Sequence, residues 1–279
     1  MKTWTILSII KWTSDFFRKH DIENPRLEAE LIVSHYLDIN RMELYLNYNK
    51  PLDPSEKKKI KKAIIKRANH EPLQYILGEV DFFDLKLQIN KNVLIPRPET
   101  EFLVDKIIKD NSSLDQILDL GTGSGAIALS LALNYPEADV VATDISKEAI
   151  NTAIKNAHYN NIKNIKFVVS NLFNSISNRY SLIVSNPPYI SPENFEKLPP
   201  EIKNFEPQRA LVANKDGFEI IEKLIKSAKK YLLKKGLLYI EIGYNHKEYV
   251  EKVASKAGYN LIQIEKDLNG FYRYAKLGV

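Results

Sequence analysis

The chain has 279 residues and no cysteine, which excludes disulfides and thiolate metal sites. Its five histidines (His20, His35, His70, His158 and His246) are scattered, with no two placed three or four residues apart, so a metal centre is not expected. No stretch approaches the roughly 20 apolar residues of a membrane helix. The segment Met1 to Ile10 is followed by no small-residue cleavage pattern, so no signal peptide is read. Low-complexity segments and internal repeats are lacking too. A cytoplasmic monomer without membrane association is the resulting expectation. The excess of positive charge is slight: +5 over this length reads as solvated surface, and no stable nucleic-acid complex is expected.

The first 70 or so residues read as helical. Ile6, Ile9, Ile10, Thr13, Phe16 and Phe17 share one face. Asn24-Pro25 predicts an N-cap followed by proline at the first helical position. Ala29, Ile32, Val33, Tyr36 and Leu37 then follow amphipathic spacing. Asp53-Pro54-Ser55-Glu56 predicts a second start, with the acid at the third helical position closing a capping box. The next helix buries Ile60, Ala63, Ile64 and Ala68, and its lysine run from Lys57 to Lys62 reads as a solvated face.

Glu71-Pro72 ends that pattern. Val80 to Asn90 alternates loosely, as in a β-hairpin or extended linker. Beyond a proline-braced segment, Leu94 to Glu99, strands and helices alternate. Candidate strands are Gln116–Leu120, Asp139–Asp144, Ile165–Ser170, Ser181–Asn186, Gly236–Ile242, Asn260–Glu265 and Phe271–Leu277. Phe218, Ile221, Ile225, Ala228 and Leu232 predict one helix before the fifth of these. Such alternation implies a mostly parallel sheet covered on both faces. The last two strands, joined near Asn269-Gly270, are expected to pair antiparallel. The expected division is a helical domain at 1–72, a hairpin linker at 73–98 and an α/β domain at 99–279.

Two motifs carry chemistry. In Asp119-Leu120-Gly121-Thr122-Gly123-Ser124-Gly125 a strand runs into a glycine turn and then a helix. Such turns let a backbone approach a ligand closely, and Asp144, ending the next strand, stands where a ribose-binding acid is expected. Gly121, Gly123 and Ala126 also fit the dinucleotide pattern, which keeps a nicotinamide enzyme open. Asp119 ahead of the glycines makes the loop resemble the nucleoside-binding loop of class I methyltransferases. The second motif, Asn186-Pro187-Pro188-Tyr189, ends a buried strand. Two prolines cannot continue a central strand, because they offer no N–H. The Asn186 side-chain oxygen and the Pro187 backbone oxygen suit a planar NH2 group. They orient its nitrogen and stabilise the charge that develops on it during methyl transfer. Tyr189 is expected to pack on the planar group.

Together these motifs resemble the release-factor glutamine methyltransferases, the PrmC/HemK family. The resemblance extends through Pro25 to Leu31, Arg41 to Tyr45, Glu71 to Gly78, Leu94 to Glu101, and Phe205-Glu206-Pro207 with Ala210-Leu211. It implies a Rossmann-like class I methyltransferase fold, with a seven-stranded mixed sheet and a small all-helical N-terminal domain that recognises substrate. It implies N5-methylation of the glutamine in the Gly-Gly-Gln motif of class-1 peptide chain release factors. The cofactor implied is S-adenosyl-L-methionine, leaving S-adenosyl-L-homocysteine. By position, Gly121, Thr122, Gly123, Ser124 and Gly125 would hold its methionine part and Asp144 its ribose. Asn186 would touch cofactor and substrate; Pro187, Pro188 and Tyr189 would touch the glutamine, with Asn186, Pro187 and Tyr189 catalytic.

One departure stands out. Where the family has an acid and then an aromatic residue, this chain has Asn171 and Leu172. Asn171 still accepts a hydrogen bond from an adenine amine, without charge. Leu172 removes a stacking ring, which either weakens the cofactor or is offset by Phe173. Rival readings are glutamine methylation of a ribosomal protein, adenine-N6 or cytosine-N4 methylation of nucleic acid, and a fold that kept binding without catalysis.

Overall fold

The computed structural model describes residues 4–214 and 216–279; Met1–Thr3, part of the segment read for a signal peptide, lie outside the described residues. The chain begins with five helices: α1 (Ile6–Arg18), α2 (Pro25–Leu37), α3 (Arg41–Leu46), α4 (Pro54–Ala68) and α5 (Leu73–Leu77). A hairpin of β1 (Glu79–Phe82) and β2 (Leu85–Gln88) leads to α6 (Pro98–Asp110). Then come β3 (Gln116–Leu120), α7 (Ala126–Asn134), β4 (Asp139–Asp144), α8 (Lys147–Tyr159), β5 (Ile165–Val169) and β6 (Tyr180–Ser185). Three short helices follow, α9 (Pro192–Glu196), α10 (Pro200–Phe205) and α11 (Gln208–Leu211). The chain closes with α12 (Glu219–Ala228), β7 (Leu232–Glu241), α13 (Lys247–Lys256), β8 (Leu261–Lys266) and β9 (Tyr272–Gly278). Among the described residues no helix is long and apolar enough to cross a membrane.

The chain forms two compact units, divided elsewhere than at the boundaries read from the sequence. One takes the residues up to Gly78 together with α10; the other takes Glu79–Pro199 and Glu206–Val279. In the first, Ile6, Ile9, Ile10 and Phe17 of α1 pack with Ala29, Ile32 and Val33 of α2 and Ile60, Ala63 and Ile64 of α4. The capping box at α4 forms: Asp53 accepts from the amides of Ser55 and Glu56, and Glu56 accepts from the Asp53 amide. Asn24 stands at the N-cap position of α2 with Pro25 first in the helix, as expected, but its side chain makes no capping hydrogen bond. Its backbone is left-handed (φ 50°), whereas an extended cap residue is what carries a side chain over the first-turn amides. Arg67 is buried and forms ion pairs with Glu28 and, at 2.7 Å, with Glu201 of α10.

In the second unit the strand order is β5-β4-β3-β6-β7-β9-β8. Pairing is parallel from β5 to β7, and β9 runs antiparallel to both of its neighbours. This is the mixed seven-stranded sheet of class I methyltransferases. The hairpin is no free linker: Phe82, Leu85 and Leu87 join the core on the α6–α7 side. The opposite face is covered by Ile221, Leu224 and Ile225 of α12 and Val250 and Ala254 of α13. Leu232, expected on the helix before β7, instead opens that strand after a 3-10 turn at Lys229–Tyr231. It reaches the same core from the strand. Its apolar spacing continues the helical period across a change of structure, which periodicity alone does not register.

Candidate active site

The sheet reverses direction of growth between β3 and β6. Leu120 and Ser185, the last residues of these strands, are register partners, and the Ser185 hydroxyl donates to the Leu120 oxygen at 2.7 Å. The glycine turn and the Asn-Pro-Pro-Tyr turn therefore leave the sheet side by side. Open α/β sheets bind ligands at such a switch point.

A cavity of about 620 Å³ opens there, lined by Gly121, Gly123, Asp144, Asn171, Leu172, Asn186, Pro187 and Pro188 among others. Thr122, Ser124 and Gly125, expected with Gly121 and Gly123 on the cofactor, and Tyr189, expected on the substrate glutamine, do not line this cavity. Thr122 and Ser124 are buried behind it. Gly125 caps α7 at φ 89°, and an added Cβ would stand 2.9 Å from Leu129 Cδ1; the turn needs glycine there to seat the helix on the strand.

Asp144 is tied down by the turn it faces. Its two oxygens accept from the amides of Gly123 (2.9 Å) and Ser146 (2.8 Å). Burial raises its pKa, with these amides and the charge of Arg209 pulling the other way. Asp119 is wholly buried under the glycine turn, and both its oxygens, like the Thr122 hydroxyl, lack hydrogen-bond partners among the described residues. Burial pushes its carboxyl up to about 7, against the pull of the Thr122 hydroxyl and the Ala128 amide, neither in bonding geometry.

The Asn186 amide nitrogen donates to Thr100 Oγ1 at 3.1 Å, which turns its oxygen the other way. Thr100 Oγ1 donates to Glu241 Oε2 at 2.7 Å, and the Tyr189 hydroxyl donates to Glu241 Oε1 at 3.1 Å. Tyr189 was expected to lie on the substrate. Its hydroxyl is committed to Glu241 and its ring meets His246 edge-on at 6.1 Å. Burial raises the Tyr189 pKa, with Glu241 adding to the effect, so the phenol stays protonated. His246, buried against Phe218, is held neutral, burial lowering its pKa to about 4.

Phe173 does not replace the ring missing at position 172. It is buried and stacks on Tyr231 with centroids 4.5 Å apart, away from the cavity wall. Nor do Arg97 and Glu99 line the wall: the Arg97 guanidinium pairs with buried Glu206, whose other oxygen accepts from the Ile95 amide at 3.3 Å. Sequence reasoning missed Arg209 of α11, which lines the cavity, and the Thr100–Glu241 pair behind it. A signal for the latter was present. Glu241 is a lone acid in the apolar run Leu237 to Ile242, where a charge needs partners.

Comparison with known proteins adds to this geometry. A family model described as PrmC N-terminal domain matches residues 8–78, and one described as Methyltransferase small domain matches residues 98–198. A "Release factor glutamine methyltransferase" from Thermodesulfovibrio yellowstonii is 40% identical over 251 residues, covering 88% of this chain and 90% of its own. One of the same name from Buchnera aphidicola is 40% identical over 266 residues, covering 95% of this chain and 96% of its own. Among solved structures, a methyltransferase from Pyrococcus furiosus superposes with a TM-score of 0.53 at 19% identity, covering 81% of this chain and 98% of its own. At that identity the likeness bears on the fold alone.

Proposed function

The chain belongs to the release factor glutamine methyltransferase family, and from this premise we propose that it methylates a glutamine side-chain nitrogen of a class-1 peptide chain release factor. The target is the glutamine of the Gly-Gly-Gln motif, and the methyl donor is S-adenosyl-L-methionine. The helical unit recognises the factor.

The residues present fit that donor. The cavity volume lies within the range of small-molecule sites. Asp119 is a buried carboxylate without hydrogen-bond partners among the described residues, and its place beneath the glycine turn favours a cationic ligand above it. Gly121 and Gly123 offer backbone to the methionine part, with Thr122, Ser124 and Gly125 shaping the turn behind them. Asp144, Asn171 and Leu172 line the same cavity, which supports assigning Asp144 to the ribose hydroxyls and Asn171 and Leu172 to the adenine. When bound, the donor supplies an electrophilic sulfonium methyl group.

What the chain itself must do follows from the weakness of the nucleophile. An amide nitrogen shares its lone pair with the carbonyl and attacks poorly. The Asn186 and Pro187 oxygens accept from the target NH2, fix its direction and stabilise positive charge as it develops. Neither acts as a strong base; the proton leaves after transfer. The single observation that carries this reading is the position of Asn186, on the cavity wall beside the glycine turn with its amide nitrogen turned to Thr100.

The test is methyl transfer from labelled S-adenosyl-L-methionine to intact release factor, to the same factor with the Gly-Gly-Gln glutamine replaced by alanine, to a ribosomal-protein fraction and to duplex DNA. Label on the intact factor alone is expected. Label only on ribosomal protein or DNA would overturn the substrate assigned here. Asn186→Ala is expected to keep donor affinity within about tenfold while losing most turnover.

A further inference from the structure

Thr100 and Glu241 are not on the cavity wall, yet both ends of the Asn-Pro-Pro-Tyr turn are tied to them. Glu241 is 1% exposed and Thr100 4%, so water is shut out of the connection. A carboxylate only accepts hydrogen bonds. Glu241 Oε2 therefore takes the one proton of the Thr100 hydroxyl. Thr100 Oγ1 is left with lone pairs alone to offer Asn186, which must turn its NH2 toward Thr100 and its oxygen away. A free asparagine amide has no such polarity, since half a turn about its last torsion exchanges oxygen for nitrogen. In the wrong sense it would set an NH2 against the target NH2, donor against donor.

We propose that Thr100 and Glu241 are positioning residues that fix the polarity of the Asn186 amide, so that it meets the target nitrogen as an acceptor. This rests on the reading of Asn186 as the group that receives the glutamine amide. The same carboxylate holds the far end of the turn through Tyr189, so one buried charge sets both the direction of the acceptor and the path of the prolines between. Packing gives no reason for an acid here. A buried carboxylate is costly unless its partners use it. Burial raises its pKa above the ordinary carboxylate value, against the pull of the Thr100 and Tyr189 hydroxyls and the charge of Arg273.

The full chain is compared with Thr100→Val, Thr100→Ser and Asn186→Ala, measuring donor dissociation constant, kcat, KM for the release factor and melting temperature. Thr100→Val keeps the shape and removes the hydroxyl. Its kcat is expected to fall on the order of tenfold to a hundredfold, with donor affinity within about twofold. Thr100→Ser restores the hydroxyl and is expected to recover kcat. Wild-type kcat in folded Thr100→Val would overturn the proposal, as would Thr100→Ser failing to recover it. Should Thr100→Val not fold, Glu241→Gln carries the test. A glutamine donates to Thr100 as readily as it accepts, so kcat falls several-fold, and an unchanged kcat overturns the proposal. A fully active Asn186→Ala would instead overturn the reading of the site beneath it.

Discussion

A Cβ added to Gly217 would stand 2.4 Å from the backbone oxygen of Tyr189. The two segments are far apart in sequence, yet they touch main chain to main chain. The loop before α12 thus backs directly onto the turn that carries Asn186. Gly217 also holds φ 82°, which an L side chain adopts only with strain.

Gly217→Ala is therefore expected to destabilise the fold by about 1–3 kcal/mol. It is also expected to lower kcat more than it weakens donor binding, because the displaced atom belongs to the turn that carries Asn186. Thermal melting and steady-state kinetics check both. A variant with wild-type stability and kcat would mean that the contact yields freely.

Asp119 sets a pH dependence. Its folded carboxyl titrates near 7, well above the 3.8 of an unperturbed aspartate. The folded state therefore binds the proton more tightly, and its stability falls as pH rises from about 4 to 7. The loss is on the order of 4 kcal/mol at 1.36 kcal/mol per pH unit. Without ligand, Asp119→Asn should gain in melting temperature over the wild type between pH 5 and pH 8. The wild type, and not the variant, should bind a cationic donor more tightly as pH rises through 7. A variant whose melting temperature tracks the wild type across this range would show that the carboxyl titrates elsewhere.

Removal of Arg97 isolates a charge. Arg97→Ala leaves buried Glu206 with the Ile95 amide as the donor that remains to it. A cost of about 2–3 kcal/mol is expected, below that of a fully buried pair because Arg97 is itself partly exposed. Arg97→Ala with Glu206→Gln should recover part of it. Urea unfolding of the single and double variants decides the matter, and equal losses in both would show that the pair contributes only packing.

Much of the fold could be read from the chain because its strands are short apolar runs with sharp ends. Gln116–Leu120 and Asp139–Asp144 coincide with β3 and β4. The reading fails where one pattern runs through two structures, as at Leu232, and where backbone geometry overrides a favourable residue, as at Asn24. The cavity was legible as a pair of motifs but not as a surface. A motif says which residues are neighbours in sequence, not which way each side chain turns. Gly123 faces the cavity while Thr122, beside it, is buried behind, and the hydroxyl of Tyr189 turns to Glu241. Arg209 and Glu241 arrive from distant elements, so only the chain's return to the sheet edge assembles them.

The pairing of Arg67 with Glu201 has a practical consequence for anyone wishing to dissect this molecule. The helical unit is not one stretch of chain: α10 is threaded into it from far downstream, and the family model that ends at residue 78 does not include that helix. A fragment cut after Gly78 would carry a buried guanidinium deprived of one of its two carboxylates. Such a fragment samples an incomplete body. Binding studies on the excised module would then report the missing helix as much as the affinity, unless the short segment is grafted back through a loop.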